Sequence, residues 1–429
     1  MSKTYGFETL SIHAGAGPDP ATGARALPIY QSTAYAFDDA DHAAALFNLQ
    51  TVGFIYSRLT NPTNAALETR LATLEGGRGC TVTASGHSAQ VLALFPLMRP
   101  GDEVVASSRL YGGSLQQMRN TYPKFGWKAH IVDADTPDNF KRALTDTTKA
   151  FFIESLANPG GVISDLEAIA RIADDAGVPL IVDNTMATPW LCKPIDYGAT
   201  LIIHSTTKFL SGTGTSMGGA VVDSGKFDWA KGGKFPSLAG PEPAYHGLNF
   251  FESFGDMAYT FHSHAVGLRD LGPTQAPMNA WLTMLGMETL GLRMERHCAN
   301  AMTVAQWLEK HPSVAWVNYA GLPSNKYNAL ARKYLPKGAG SIFTFGVKGG
   351  YEVGMKVVDS VDLFSHLANI GDAKSLIIHP ASTTHRQLTD EQRIAAGAGP
   401  DVIRLSIGIE TVEDIIADLE QALAKATAV

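Results

Sequence analysis

The sequence concentrates its reactive side chains in Ser205-Thr-Thr-Lys208, followed at once by Ser211-Gly-Thr-Gly214. The residues before it, Leu201-Ile-Ile-His204, form a short apolar run of the kind that makes a buried parallel strand. Hydroxyls and a lysine at a strand end suit a phosphate and a carbonyl bound side by side. Lysine is the side chain that forms Schiff bases, and desolvation lowers its pKa towards that use. Earlier in the chain, Pro179-Leu-Ile-Val-Asp183-Asn-Thr185 is a second buried-strand pattern, ending in a carboxylate. An aspartate and a lysine at neighbouring strand ends can face one ligand across a parallel sheet. Pyridoxal phosphate needs that arrangement: a lysine on its aldehyde and an acid beside its ring nitrogen. Each residue alone also has a plain structural role, the lysine as a solvated strand end and the aspartate as a helix cap. The residues by themselves leave both readings open.

The elements that must position these groups follow from the pattern around them. From Asn64 onward, strand and helix patterns alternate. Helices are expected over 65–74, 89–98 and 165–176. Strands are expected at 80–84, 103–107, 128–132, 151–154, 180–183, 201–204 and 219–222. Such alternation indicates a mostly parallel sheet wrapped by helices, an α/β fold with ligands at the carboxyl ends of the strands. Tyr111, Glu154, Asn158, Asp183, Ser205 and Lys208 all fall at or just past such ends. Ser85-Gly86-His87-Ser88 is a turn that opens a helix, and a helix N-terminus offers free N–H groups to an anion. A plain tight turn explains it equally well.

Before the alternation, residues 1–62 read as an irregular arm with one helix at 38–48, containing Tyr56-Ser-Arg58 in a polar, turn-rich stretch. After it, residues 223–265 are rich in glycine, proline and aromatic residues and too long for an ordinary connection. His262 and His264, at i and i+2 on an expected strand, have no third ligand nearby, so a metal site is not expected. A helical stretch at 280–308, broken near Gly286, precedes a strand at 341–347 and a helix at 351–368. Strands at 375–378 and 402–408 and a helix at 412–426 complete a smaller α+β unit. The expected organisation is an arm of residues 1–62 contacting a neighbouring subunit, a cofactor domain of 63–270 and a C-terminal domain of 271–429.

Composition excludes several classes. The chain has 429 residues, net charge −7 and 45% hydrophobic residues, which leaves no electrostatic footprint for nucleic acid. Three dispersed cysteines argue against a disulfide framework and for a reducing compartment. The start carries no apolar core of signal-peptide length, and no apolar stretch is long enough to span a membrane. A cytoplasmic protein is expected.

With these residues in place, the chain resembles, essentially end to end, the Cys/Met-metabolism family of pyridoxal-phosphate enzymes. The landmarks are Tyr56-Ser-Arg58, Ser85-Gly86, Tyr111-Gly-Gly, Glu154-Ser with Asn158-Pro, Asp183-Asn-Thr185, Ser205-Thr-Thr-Lys208, His379 to His385 and Arg404-Leu-Ser-Ile-Gly-Ile-Glu. The resemblance implies fold type I, with a smaller C-terminal domain, and homotetramers built as dimers of dimers with shared sites. It implies that Lys208 is joined to the cofactor, that Asp183 holds the ring nitrogen and that Tyr111 stacks on the ring. Gly86, His87, Ser205 and Thr207 would hold the phosphate, with Thr185 beside the cofactor. Tyr56 and Arg58 would reach the phosphate from the neighbouring subunit, and Tyr56 the substrate also. Arg404 would take the substrate carboxylate, helped by Asn369 and with Asn158 nearby. His87 stands where relatives often carry methionine.

Within the family, the segments Trp229 to Tyr245-His-Gly, Leu268-Arg-Asp-Leu-Gly and Ala368-Asn369-Ile-Gly-Asp resemble the O-acetylhomoserine sulfhydrylases. Gly113 stands where methionine γ-lyases tend to carry a cysteine. The implied reaction replaces the γ-acetyl group of O-acetyl-L-homoserine by sulfide or methanethiol. A methionine γ-lyase or cystathionine γ-synthase reaction is the alternative, and a non-catalytic scaffold that kept the fold is a third. The aromatic segment 229–245 is expected to narrow the approach to the substrate's Cγ.

Overall fold

A computed structural model describes residues 5–158, 161–384, 386, 389, 391, 393 and 397–428. Pro159, in the Asn158-Pro landmark, and His385 lie outside the described residues.

Seven strands form the main sheet: β1 (Gly79–Thr83), β2 (Glu103–Ser107), β3 (Lys128–Val132), β4 (Thr148–Glu154), β5 (Leu180–Asp183), β6 (Leu201–His204) and β7 (Gly219–Asp223). Their spatial order is β1-β7-β6-β5-β4-β2-β3. Only β7 runs against the rest, pairing antiparallel with β1 and β6. The central strands read as continuous apolar runs because both faces are covered: Phe151, Phe152, Ile181, Val182, Ile202 and Ile203 are fully buried. In a parallel sheet the carboxyl ends share one edge, so β4, β5 and β6 deliver Glu154, Asp183 and Ser205 side by side.

A second, five-stranded sheet is built from β8 (Val314–Asn318), β9 (Ile342–Val347), β10 (Ser365–His366), β11 (Leu376–Ile378) and β12 (Val402–Ser406). Its order is β8-β9-β12-β11-β10. Arg404 is carried on its central strand.

Helix starts follow their caps. Asn61 accepts from the Thr63 N–H and Pro62 occupies the first turn, so the helix runs Pro62–Glu75, longer than the apolar pattern suggested. Ser85 and Ser88 form a capping box that starts Gly86–Leu94.

Several expectations are corrected. The arm carries a helix at Phe7–His13 besides Ala40–Phe47. His262 and His264 lie in consecutive helical turns, not on a strand. Two residues apart on a helix they point to different sides. His262 faces Glu242 at 3.6 Å, while His264 lies 3.3 Å from Glu68. The long helical stretch breaks at Thr289, between Pro277–Glu288 and Leu290–Lys310. Gly286 is inside the first helix for a different reason. A Cβ there would sit 2.2 Å from the Ser211 carbonyl oxygen, so glycine lets the helix press against the loop after Lys208. The helix expected at 351–368 is Gly350–Asp359. It stops because the Asp418 carboxylate accepts the N–H groups of Asp362, Leu363 and Phe364.

Candidate active site

One cavity of about 230 Å³ lies at the carboxyl edge of the main sheet, between it and β12. Gly86, His87, Tyr111, Asn158, Asp183, Thr185, Ser205, Thr207, Lys208, Asn369 and Arg404 all line it. Of the candidate residues, only Tyr56 and Arg58 do not.

The anion-binding corner is built by the capping box. The Ser85 hydroxyl takes the Ser88 N–H at 3.1 Å, and the Ser88 hydroxyl takes the Ser85 N–H at 3.0 Å. The N–H groups of Gly86 and His87 precede the first helical bond and stay available. A Cβ at position 86 would stand 2.7 Å from the Ser205 Cβ. Glycine therefore brings the helix N-terminus against the Ser205 hydroxyl, forming the donor cradle a phosphate requires. The Thr207 hydroxyl is engaged locally: it accepts the Gly218 N–H at 3.1 Å and reaches the Gly218 carbonyl at 3.2 Å.

Asp183 is held by Thr185, whose hydroxyl donates to Oδ1 at 2.5 Å and whose N–H does so at 3.0 Å. The same hydroxyl accepts the Ser205 N–H at 2.8 Å, tying β5 to β6. Burial pushes the Asp183 carboxyl up, against the opposing pull of Thr185, His204 and Gln90. An acid placed so stays charged best when a cation faces it.

Lys208 donates from Nζ to Asn369 Oδ1 at 2.5 Å. Burial, and then the Arg404 guanidinium, lower its pKa. Arg404 donates from one terminal nitrogen to Asn158 Oδ1 at 3.3 Å and from the other to the Asn369 carbonyl at 3.0 Å. Burial pulls its pKa down to about 10. Asn369 thus serves Lys208 with its side chain and Arg404 with its backbone. Arg404 Nε and Gln90 Oε1 are buried and have no hydrogen-bond partner among the described residues. A cradle of free N–H groups, a carboxyl wanting a cation and a guanidinium with an orphaned N–H together fit a phosphorylated pyridine aldehyde and an amino acid.

Tyr111 is 48% exposed beside the His87 ring, with centroids 5.9 Å apart. A Cβ at Gly113 would fall 2.4 Å from the Tyr111 ring, so a cysteine there would displace that ring. Sequence reasoning gave no role to Gln90, Leu156, Met186 and Met217 in the lining, nor to Ile370 and Thr384, which it named only within longer segments. Gln90 had a signal: it follows Gly86 by one helical turn on the same face. The others are brought in by packing. No lining residue comes from 229–245. Trp229 and Phe235 are buried in the core instead, so that segment does not narrow this cavity.

Tyr56 and Arg58 border separate clefts. Arg58 donates to the Arg269 carbonyl at 3.0 Å and its carbonyl accepts from the Thr274 hydroxyl at 2.7 Å.

Residues 8–424 match the family of Cys/Met metabolism PLP-dependent enzymes. The chain belongs to this family. An O-acetyl-L-homoserine sulfhydrylase of Leptospira meyeri is 50% identical over 99% of this chain and 98% of its own. A homocysteine synthase of Schizosaccharomyces pombe is 49% identical over 97% and 98%. A solved structure from Campylobacter jejuni, described as an O-acetylhomoserine (thiol)-lyase, superposes with a TM-score of 0.95 at 42% identity. It covers 98% of this chain and 100% of its own, and it carries an N'-pyridoxyl-lysine-5'-monophosphate. Pyridoxal phosphate is the cofactor of this enzyme. No helix among the described residues is long and apolar enough to cross a membrane.

Proposed function

We propose that this chain replaces the γ-acetoxy group of O-acetyl-L-homoserine by sulfide, giving L-homocysteine and acetate. The observation that carries the reading is the convergence of Lys208, Asp183 and Arg404 on one cavity. Relatives named as sulfhydrylases and homocysteine synthases support it along the whole chain.

Pyridoxal phosphate, when bound, supplies an aldehyde for the substrate amine and a ring that withdraws electrons from Cα. The chain's residues do the rest. Gly86, His87 and Ser205 would hold its phosphate. Asp183 would supply the counter-charge at the ring nitrogen, and Tyr111 would cover the ring. Arg404 grips the α-carboxylate through a charge-assisted bond, with Asn158 and Asn369 fixing the guanidinium plane. Lys208, its pKa lowered by burial and Arg404, would take the Cα proton and a Cβ proton before the Cγ–O bond breaks, and would return both once the Cγ–S bond has formed. The Cγ–O bond breaks and acetate carries off the electron pair. Hydrosulfide then forms the Cγ–S bond.

Arg404 is the only guanidinium among the described lining residues. With the α-carboxylate on it, and Arg58 of a second copy on the phosphate, a second carboxylate such as that of cysteine has no free guanidinium. Sulfide should therefore exceed cysteine by at least about tenfold in kcat/KM, roughly 1.4 kcal/mol. The test is O-acetyl-L-homoserine with sulfide, with cysteine and alone. Homocysteine in the first case is expected. Equal use of cysteine would make this a cystathionine γ-synthase, and 2-oxobutyrate without any thiol would make it a lyase.

The arm 1–62 completes the site of a second copy through Tyr56 and Arg58, within a homotetramer. Their exclusion from their own chain's cavity supports this, as do Phe47 and Val52, exposed at 59% and 82%. Mixing inactive Arg58→Ala and Lys208→Ala chains should restore activity in hybrid pockets. Verified subunit exchange without recovery overturns the shared site. Three buried free cysteines fit a cytoplasmic location.

A further inference from the structure

Glu154 ends β4 and pairs in register with Asp183 at the end of β5. It is 4% exposed and lines the cavity. Its two carboxylate oxygens are both committed, each to a different loop. One accepts the Tyr111 N–H at 2.6 Å, and the other accepts the Asn158 N–H at 3.1 Å. Its own carbonyl accepts from the Ser164 hydroxyl at 2.8 Å, which anchors the hairpin of Leu156–Ala157 and Val162–Ile163. Tyr111 carries the aromatic ring at the cavity. Asn158 carries the oxygen that receives Arg404. One carboxyl group therefore links the ring-covering residue to the carboxylate-binding residue.

We propose that Glu154 is a positioning residue for the reaction: its two oxygens set Tyr111 against the cofactor ring and, through Asn158, set Arg404 against the substrate carboxylate. An amide cannot replace it, because an amide has one acceptor oxygen and its NH2 would meet the second N–H head-on. Burial and the charge of Asp183 both raise the Glu154 pKa, while the two N–H bonds oppose them. A cation facing Asp183 cancels that repulsion and favours the ionised Glu154 that accepts both bonds.

The inference rests on the cofactor placement proposed above. The experiment loads wild-type, Glu154→Gln, Asn158→Ala and the double variant with pyridoxal phosphate. It records the induced circular dichroism of the cofactor band and the spectral titration with L-norvaline, which has the α-carboxylate and amine but no γ-leaving group. Glu154→Gln is expected to melt within about 3 °C of wild type and to bind the cofactor. Its induced dichroism should fall by at least half and its norvaline Kd should rise about tenfold, non-additively with Asn158→Ala. A wild-type dichroic band with norvaline Kd within twofold, or fully additive losses, would overturn the proposal. If Glu154→Gln does not fold, Glu154→Asp is read in its place, since the shorter acid cannot span both N–H groups. Loss of fold in both overturns the proposal, because Glu154 would then be structural only. If instead the cofactor placement itself is wrong, Lys208→Ala keeps the wild-type imine band, which separates the two failures.

Discussion

Two sets of side chains hang from the same three strand ends, one residue apart, and they do opposite jobs. Glu154, Asp183 and Ser205 face the cavity. Ser155, Asn184 and His204 turn to the other side and are buried completely or nearly so. There the Glu75 carboxylate gathers them: it lies 2.6 Å from His204 Nε2 and accepts from the Asn184 amide at 2.8 Å, while the Ser155 hydroxyl donates to Asn184 at 2.7 Å. The Asn184 amide also reaches the Cys192 carbonyl. Alternation of side chains along a strand produces this division. The buried set knits a helix to three strands and holds the ends in register. The cavity set can then keep polar atoms turned towards a ligand. Reactive groups stay open here because a layer beneath them is closed.

Breaking each side separately should give different losses. Lys208→Ala is expected to have the largest effect, lowering kcat about 10,000-fold or more while the melting temperature stays within a few degrees. The visible band of the bound cofactor should vanish with it, and a variant keeping band and turnover removes Lys208 from its role. Next comes Glu75→Ala, which strips the acceptor from His204 and Asn184 in a dry site. It should cost about 3–5 kcal/mol in chemical denaturation without changing the product formed by the protein that remains folded. A loss under about 1 kcal/mol would show that the network is not what holds the strand ends.

A smaller, selective loss is expected from Arg404→Lys. The charge remains but the planar fork does not, so KM should rise about 10- to 100-fold with kcat changed much less. Equal falls in kcat and kcat/KM would place the guanidinium's contribution in the transition state alone. The finest distinction is in pH. Only neutral Lys208 can condense with the cofactor aldehyde, and burial followed by Arg404 lowers its pKa. Arg404→Gln removes the second cause, so the pH at which apoenzyme begins to reconstitute should move upward. A downward or absent shift in stopped-flow reconstitution would deny that Arg404 acts on Lys208.

Much of the architecture is legible locally. The apolar runs before Asp183 and Ser205 mark buried strands, and Ser85-Gly86 marks a helix start. The order of strands and helices requires a parallel sheet with its ligand at the carboxyl edge. These signals rest on periodicity and caps, which act over a few residues. They place Lys208, Asp183 and the Ser85-Gly86 helix start at one edge, where all of them line the same cavity. Local reading failed where a distant group overrode it. Asp418 captures residues 362–364 and ends a helix that periodicity would have continued. His262 and His264 alternate like a strand but sit in helical turns packed on Glu242 and Glu68. Trp229 and Phe235, aromatic and glycine-flanked, looked like a wall for the cavity and became core.

The sequence by itself determined that Asp183, Ser205 and Lys208 stand at or just past the carboxyl ends of adjacent strands, on one edge of the sheet. Strand periodicity, turn residues and helix caps are short-range and write that information directly into neighbouring positions. The tertiary structure alone decided how those residues are tied together. Lys208 meets Asn369 from 161 positions away, and Arg404 meets Asn158 from 246. Contacts of that span depend on how the second sheet packs over the first. No local signal encodes them, because their geometry exists only when both sheets have closed around one cavity.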